Sequence, residues 1–224
     1  MADVKTGETR QIVCPCCGKK IEVQVYPVVN ISRSPMLREK VLDETLFQQI
    51  CSHCGAHFRL MTRCLYHDAD NNFMIYFIPG FRERQLETGN IEKEFPEFSM
   101  TDCRVVSTIN QLKEKILLLE SGVDDRAIEI SKLAVSGIVS RKFGKRIQAA
   151  YFCRLDEEND RIGFSFFLDG EAQSVFYQTH AQVYQRAQAV AAEFSLQGFV
   201  NVDVRWAAHA LDQSRRSAVS KESI

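Results

Sequence analysis

Cys14-Pro15-Cys16-Cys17-Gly18 and Cys51-Ser52-His53-Cys54-Gly55 are one pattern, C-x-x-C-G, written twice with 32 residues between the copies. Each copy follows an apolar residue, Val13 or Ile50, that can end a strand. A C-x-x-C turn aims two thiolates at one point, and two such turns supply the tetrahedral four-sulfur shell of a closed structural zinc site. The glycine after each pair has its own cause. Just past the second sulfur the chain must fold back around the metal, and glycine takes positive φ there without a Cβ clash. Pro15 presets the first turn. The spacing therefore predicts one Zn²⁺ per chain, held by Cys14, Cys17, Cys51 and Cys54.

Cys16 sits inside the first pair and can in principle replace Cys14 or Cys17, but the two-residue gap of the second knuckle favours Cys14 with Cys17. His53 and His57 are near enough for a Cys3His shell, although four cysteines already satisfy the ion, which leaves these histidines as strand or turn residues. A single C-x-x-C also fits a redox dithiol, which usually opens a helix after a buried strand and needs a lowered thiol pKa. Here Gly18-Lys19-Lys20 leads straight into the alternating strand Ile21-Glu22-Val23-Gln24-Val25-Tyr26, so metal ligation is the better reading. Cys64, Cys103 and Cys153 stand alone and read as small buried hydrophobes.

The 224 residues, 45% apolar and 25% charged, suffice for one large domain or two small ones and exclude a disordered chain. No apolar run approaches the roughly 18 residues of a membrane span, and Met1 to Val13 lacks the apolar core of a signal peptide. A soluble, cytoplasmic protein without a membrane partner is expected. Eight cysteines in a reducing compartment again favour metal over disulfides. With 28 basic against 29 acidic residues, and nine against eight within residues 1–80, charge gives no strong nucleic-acid footprint.

The periodicities predict an α+β fold. Residues 1–80 form the knuckle unit with an inserted helix: a strand over 21–26 ended by Pro27, a helix with Ser34 at its cap and Leu37 and Val41 on one face, and a strand over 45–50. A hairpin then joins 56–66 to 72–78 around His67-Asp68-Ala69-Asp70-Asn71. Residues 81–136 hold a charged connector, over 81–102, and two helices. The first, 111–120, is capped by Thr108 or Asn110 and stopped by Gly122, and the second runs from Arg126 to about Val135 behind Asp124 and Asp125. Residues 137–210 form an antiparallel sheet of strands at 151–155, 162–168 and 174–178. On it packs a helix over 181–194 with a Val183, Ala187, Val190, Phe194 stripe, followed by a further alternating strand, Phe199 to Trp206. A polar tail over 211–224 is expected to fray.

These residues resemble the CpXC-domain proteins of bacteria and archaea over roughly 12–135. The resemblance rests on the two knuckles, on Leu37-Arg38-Glu39-Lys40-Val41-Leu42 with Thr45-Leu46-Phe47, and on Leu65-Tyr66-His67-Asp68 with Phe73-Met74-Ile75-Tyr76. Arg104-Val105-Val106, Leu112-Lys113-Glu114-Lys115-Ile116 and Asp124-Asp125-Arg126-Ala127-Ile128-Glu129 look like its continuation. Ser52 departs from the family's proline in the second knuckle, which leaves the sulfurs intact. The resemblance implies a zinc-ribbon-like N-terminal unit and implies no activity.

Three functional readings follow. The first is a non-enzymatic, zinc-stapled module that docks a protein partner, with nucleic acid as the weaker partner class. The second is an enzyme with a polar site at Tyr66-His67-Asp68 and Asp124-Asp125-Arg126, where histidine beside a carboxylate can do acid/base work. Against it, His-Asp-Ala-Asp-Asn is ordinary turn chemistry, the paired aspartates suit a helix N-terminus, and neither a phosphate-binding glycine loop nor a nucleophile elbow occurs. The third is a thiol sensor in which oxidation of the knuckles releases zinc, with Cys16 as the spare thiol.

Overall fold

In the first hairpin, Ile21, Val23 and Val25 alternate with Glu22 and Gln24. β2 (Lys20–Val25) buries the apolar three and pairs antiparallel with β1 (Glu8–Val13), Val13 standing opposite Lys20. The computed structural model describes residues 7–81, 102–156 and 158–222, a mixed α+β fold with five α-helices among them. The chain forms two compact units, Met1–Leu117 with Gln197–Val200, and Leu118–Leu196 with Asn201–Ile224. The connector expected over 81–102 falls, apart from its ends, outside the described residues.

In the first unit β3 (Val28–Asn30), β6 (Cys64–Asp68), β7 (Phe73–Phe77) and β8 (Asp102–Val106) make a mixed sheet in the order β3-β6-β7-β8. β3 runs parallel to β6, β6 antiparallel to β7, and β7 parallel to β8. β6 and β7 are buried along their whole length, which is why β7 is an apolar run without alternation, while β6 ends in the buried polar pair His67 and Asp68. Phe47 meets Phe77 edge to face at 5.8 Å, and Tyr66 stacks on Phe73 at 6.0 Å. α1 (Met36–Leu42) buries Leu37 and Val41, as the spacing predicts, and starts one residue after Pro35.

Two expected strands here are divided. Thr45–Phe47 is a short 3-10 turn, and only β4 (Gln48–Ile50) is strand; it pairs antiparallel with β5 (His57–Arg59). Glu44 carries the chain into that turn at φ 67, and its carboxylate lies 2.7 Å from Arg59 and 2.9 Å from Lys113. The long strand expected over 56–66 is likewise two strands in two sheets, β5 and β6. His67 and Asp68, expected in the loop, end β6 instead. Asp68 closes the turn by accepting from the backbone N–H groups of Asp70 and Asn71 and from the Asn71 side chain.

α2 (Ile109–Glu120) starts where Thr108 Oγ1 accepts from Gln111 N, buries Leu112 and Ile116, and ends before Gly122 at φ 67. α3 (Asp125–Phe143) is far longer than the expected 126–135. Asp124 caps it by accepting from Arg126 N, and the stop comes at Gly144, φ 63. Gly137 lies inside it, where a Cβ would meet only the Arg141 side chain, so it is a tolerated interior residue.

The second unit holds the antiparallel sheet β11-β10-β9, made of β9 (Ile147–Asp156), β10 (Arg161–Leu168) and β11 (Val175–His180). Ile162, Phe164, Phe166 and Leu168 pack from β10 into a core with Ile128, Val135 and Val139 of α3. The helix on the sheet is therefore α3; α4 (Gln182–Ala191) packs chiefly against α3 and buries Tyr184, Ala187 and Ala191, so of the expected stripe Ala187 is buried while Val183 and Val190 are only partly so. The final expected strand is also replaced. Asp203 accepts from the N–H groups of Arg205 and Trp206 and starts α5 (Val204–Glu222), which takes in Trp206 and the tail expected to fray. Val204, expected to point inward, is 53% exposed, and Ala207 and Ala210 are the buried residues.

Candidate metal centre

The two knuckles are closed by the same bonds. Cys14 N donates to Lys19 O at 2.9 Å and Gly18 N to Cys14 O at 3.0 Å. Cys51 N donates to Ala56 O at 2.9 Å and Gly55 N to Cys51 O at 2.9 Å. Gly18 and Gly55 sit at φ 70 and 69, where a Cβ would meet nothing within 4 Å, so backbone conformation alone asks for glycine. In each turn a backbone N–H, of Cys16 or His53, donates to the first sulfur at 3.4 Å.

These turns bring the sulfurs of Cys14, Cys17, Cys51 and Cys54 within 4.8 Å of one another, a group that can hold a metal ion. Across the knuckles, Cys14 Sγ lies 3.9 Å from Cys54 Sγ and Cys17 Sγ lies 3.7 Å from Cys51 Sγ, too far for disulfide bonds. Cys14 and Cys51 are buried, whereas Cys17 and Cys54 lie toward the surface. The backbone N–H of Cys54, assisted by that of His53, holds the Cys51 thiol down at about 6. Cys54 accepts from the Ala56 N–H, which favours its thiolate, yet the Cys51 sulfur and burial push it up to about 12. The Cys51 thiolate is thus favoured, and a cation is what would let Cys54 ionise beside it.

Cys16 is exposed and outside the four-sulfur group, as are His53 and His57. Cys64 and Cys103 are buried, and burial alone pushes the Cys64 thiol up to about 12. Cys153 is different from its expected buried state. A register shift between Gly163 and Phe164 leaves it without an opposite residue on β10, and it is exposed.

The two polar motifs of the enzyme reading fall in different units. Asp68 closes its turn, and Asp124 caps α3 while its carboxylate pairs with Arg126 at 2.8 Å. Asn30 Nδ2 donates to Nδ1 of the buried His67 at 3.0 Å. Burial, reinforced by Arg33 against the pull of Asp68, holds this imidazole below its ordinary pKa. Sequence reading missed Asn30, whose carbonyl oxygen Oδ1 also accepts from Arg33 N, because its partner is brought in by the parallel β3–β6 pairing.

Chain and site together define a mixed α+β protein with one four-cysteine cluster among its described residues. Residues 12–132 match the family model for the CpXC protein, and the chain belongs to that family. Neither a curated protein nor a solved structure matches it. No helix among the described residues is long and apolar enough to cross a membrane.

Proposed function

We propose that the chain is a zinc-stapled interaction module whose N-terminal unit is a zinc ribbon. The observation that carries this is the sulfur geometry. A tetrahedron with Zn–S bonds of about 2.3 Å has edges of about 3.8 Å. The two cross-knuckle sulfur pairs, at 3.9 and 3.7 Å, are close to that edge. With four sulfurs the shell is closed, which suits a structural role and leaves no open position for substrate. The bound ion would be held by Cys14, Cys17, Cys51 and Cys54.

The same hairpins supply a surface for a protein partner. Val13 and Ile50, equivalent residues one position before each knuckle, are 60% and 61% exposed, and among the described residues each hairpin has two strands and so keeps open edges.

Elemental analysis of the purified chain tests the metal assignment. One zinc per chain is expected, lost in Cys17→Ala and Cys54→Ala and retained in Cys16→Ala. Full zinc in Cys17→Ala, or its loss in Cys16→Ala, overturns the ligand set. Co-purification from the native host, with and without chelator, tests the partner class, a zinc-dependent protein partner being expected.

A further inference from the structure

Each knuckle offers one sulfur outward and keeps one inside. Cys17 and Cys54, the second cysteines of their pairs, lie toward the surface. Cys14 and Cys51, the first, are buried, and each accepts a backbone N–H at 3.4 Å. The short distances join unlike sulfurs of opposite knuckles: surface Cys17 lies 3.7 Å from buried Cys51, and surface Cys54 lies 3.9 Å from buried Cys14. The group is therefore two pairs, each with a reachable sulfur in front and a second sulfur behind it. A structural shell asks only for four sulfurs and makes no use of two that a solute can touch.

The other thiols are placed differently. Cys64 and Cys103 are buried away from any solute. Cys16 is exposed but outside the four-sulfur group, and Cys153 is exposed on β9, in a sheet that holds no other cysteine.

We propose that the two pairs are a modification site for hydrogen peroxide, at which oxidation exchanges a metal clamp for a covalent one. This rests on the zinc reading above, because the metal-held thiolate is the form that reacts. The surface sulfur attacks the O–O bond and keeps one oxygen as a sulfenic acid, while hydroxide leaves. The buried thiolate behind it then attacks that sulfur. The S–S bond forms at about 2.05 Å, a second hydroxide leaves, and both hydroxides take up protons to end as water. Each pair gives two electrons to one peroxide, so two peroxides convert Cys17–Cys51 and Cys14–Cys54 to disulfides and the ion is released with its last ligand. Closure shortens each pair by about 1.8 Å. Both bonds run from one knuckle to the other, so the hairpins stay clamped in the oxidised chain.

Titration of the purified full chain with hydrogen peroxide, with a weak chromogenic chelator reporting free zinc and peptide mapping without reductant, tests this. The chain should hold zinc beforehand and release it at about two peroxides per ion. The Cys17–Cys51 and Cys14–Cys54 crosslinks should form while Cys153 still reacts with iodoacetamide. A thiol reductant with added zinc should reverse the change, and Cys16→Ala should behave as the unaltered chain does. Amide-exchange protection in β1, β2, β4 and β5 should persist after oxidation. Absence of zinc before peroxide sinks the metal assignment and this proposal together, whereas zinc that stays bound while Cys153 is consumed sinks this proposal alone. Disulfides within one knuckle or through Cys16, or hairpins that lose protection on oxidation, also overturn it.

Discussion

The apolar cluster beneath the knuckles consists of Cys14, Ile21, Val23, Val25 and Cys51, so two of its five buried members are thiols. Beneath β10 the cluster counts fourteen buried residues from strands and helices, none of them a cysteine. Both regions are antiparallel β-structure, but β4 and β5 have three residues each and β10 has eight. A two-stranded hairpin is marginal in water, whereas three strands under a helix have an apolar face to bury. The difference teaches that one region needs a covalent or metal staple and the other holds itself by packing.

The sharpest way to break this comparison is to remove the proposed zinc. Structural zinc contributes on the order of 10 kcal/mol to small zinc-dependent folds. Cys51→Ser, or chelation at neutral pH, is therefore expected to abolish amide-exchange protection across β1, β2, β4 and β5 and leave β10 protected. Persistent protection in the hairpins would mean that their small core suffices.

The converse change targets packing. Phe166 is fully buried in the larger core, so Phe166→Ala should cost about 3–5 kcal/mol, read as denaturant midpoint by near-UV circular dichroism, with zinc content unchanged. His180→Ala, at an exposed position beside Asp160, should change neither quantity. Loss of zinc in either variant would show that the two regions are not held separately.

The smallest effect sharpens the picture within the first unit. His67 has a folded pKa below its unfolded value, so the unfolded chain takes up the proton first as pH falls. Its contribution to stability is complete above the unfolded pKa and is lost as pH falls from there toward the folded pKa, with a slope of at most about 1.4 kcal/mol per pH unit. His67→Gln should remove that component of the pH dependence between about pH 5 and 7, the window around the ordinary histidine pKa. An identical slope in the variant would assign it to other groups.

Legibility in the sequence followed the range of the interaction. The knuckles, the alternation of β2, the Thr108 and Asp124 caps and the β10 strand are set by residues a few positions apart, and each was readable there. Asp203 was readable too, as a cap before Ala207-Ala208-His209-Ala210-Leu211, but Val200, Val202 and Val204 imitate a strand. Their period of two misled because Val202 is buried while Val204 is already helical and exposed. What no local pattern carries is pairing between distant segments: β3 with β6, the division of 56–66 between two sheets, and the choice of α3 as the helix that covers the C-terminal sheet.

A further distant pairing, of β8 with Val200, bears on how the protein is made. Val105 N donates to Val200 O at 3.0 Å and Val200 N to Cys103 O at 3.3 Å, while Phe199 packs with Leu65, Met74 and Tyr76. The edge of β8 is thus completed by a short segment that follows most of the second unit in the chain. On the ribosome, where synthesis runs from the N-terminus, the first unit cannot close that edge until Val200 has emerged. A nascent chain stalled before that point would present β8 as a bare strand to its neighbours on the polysome.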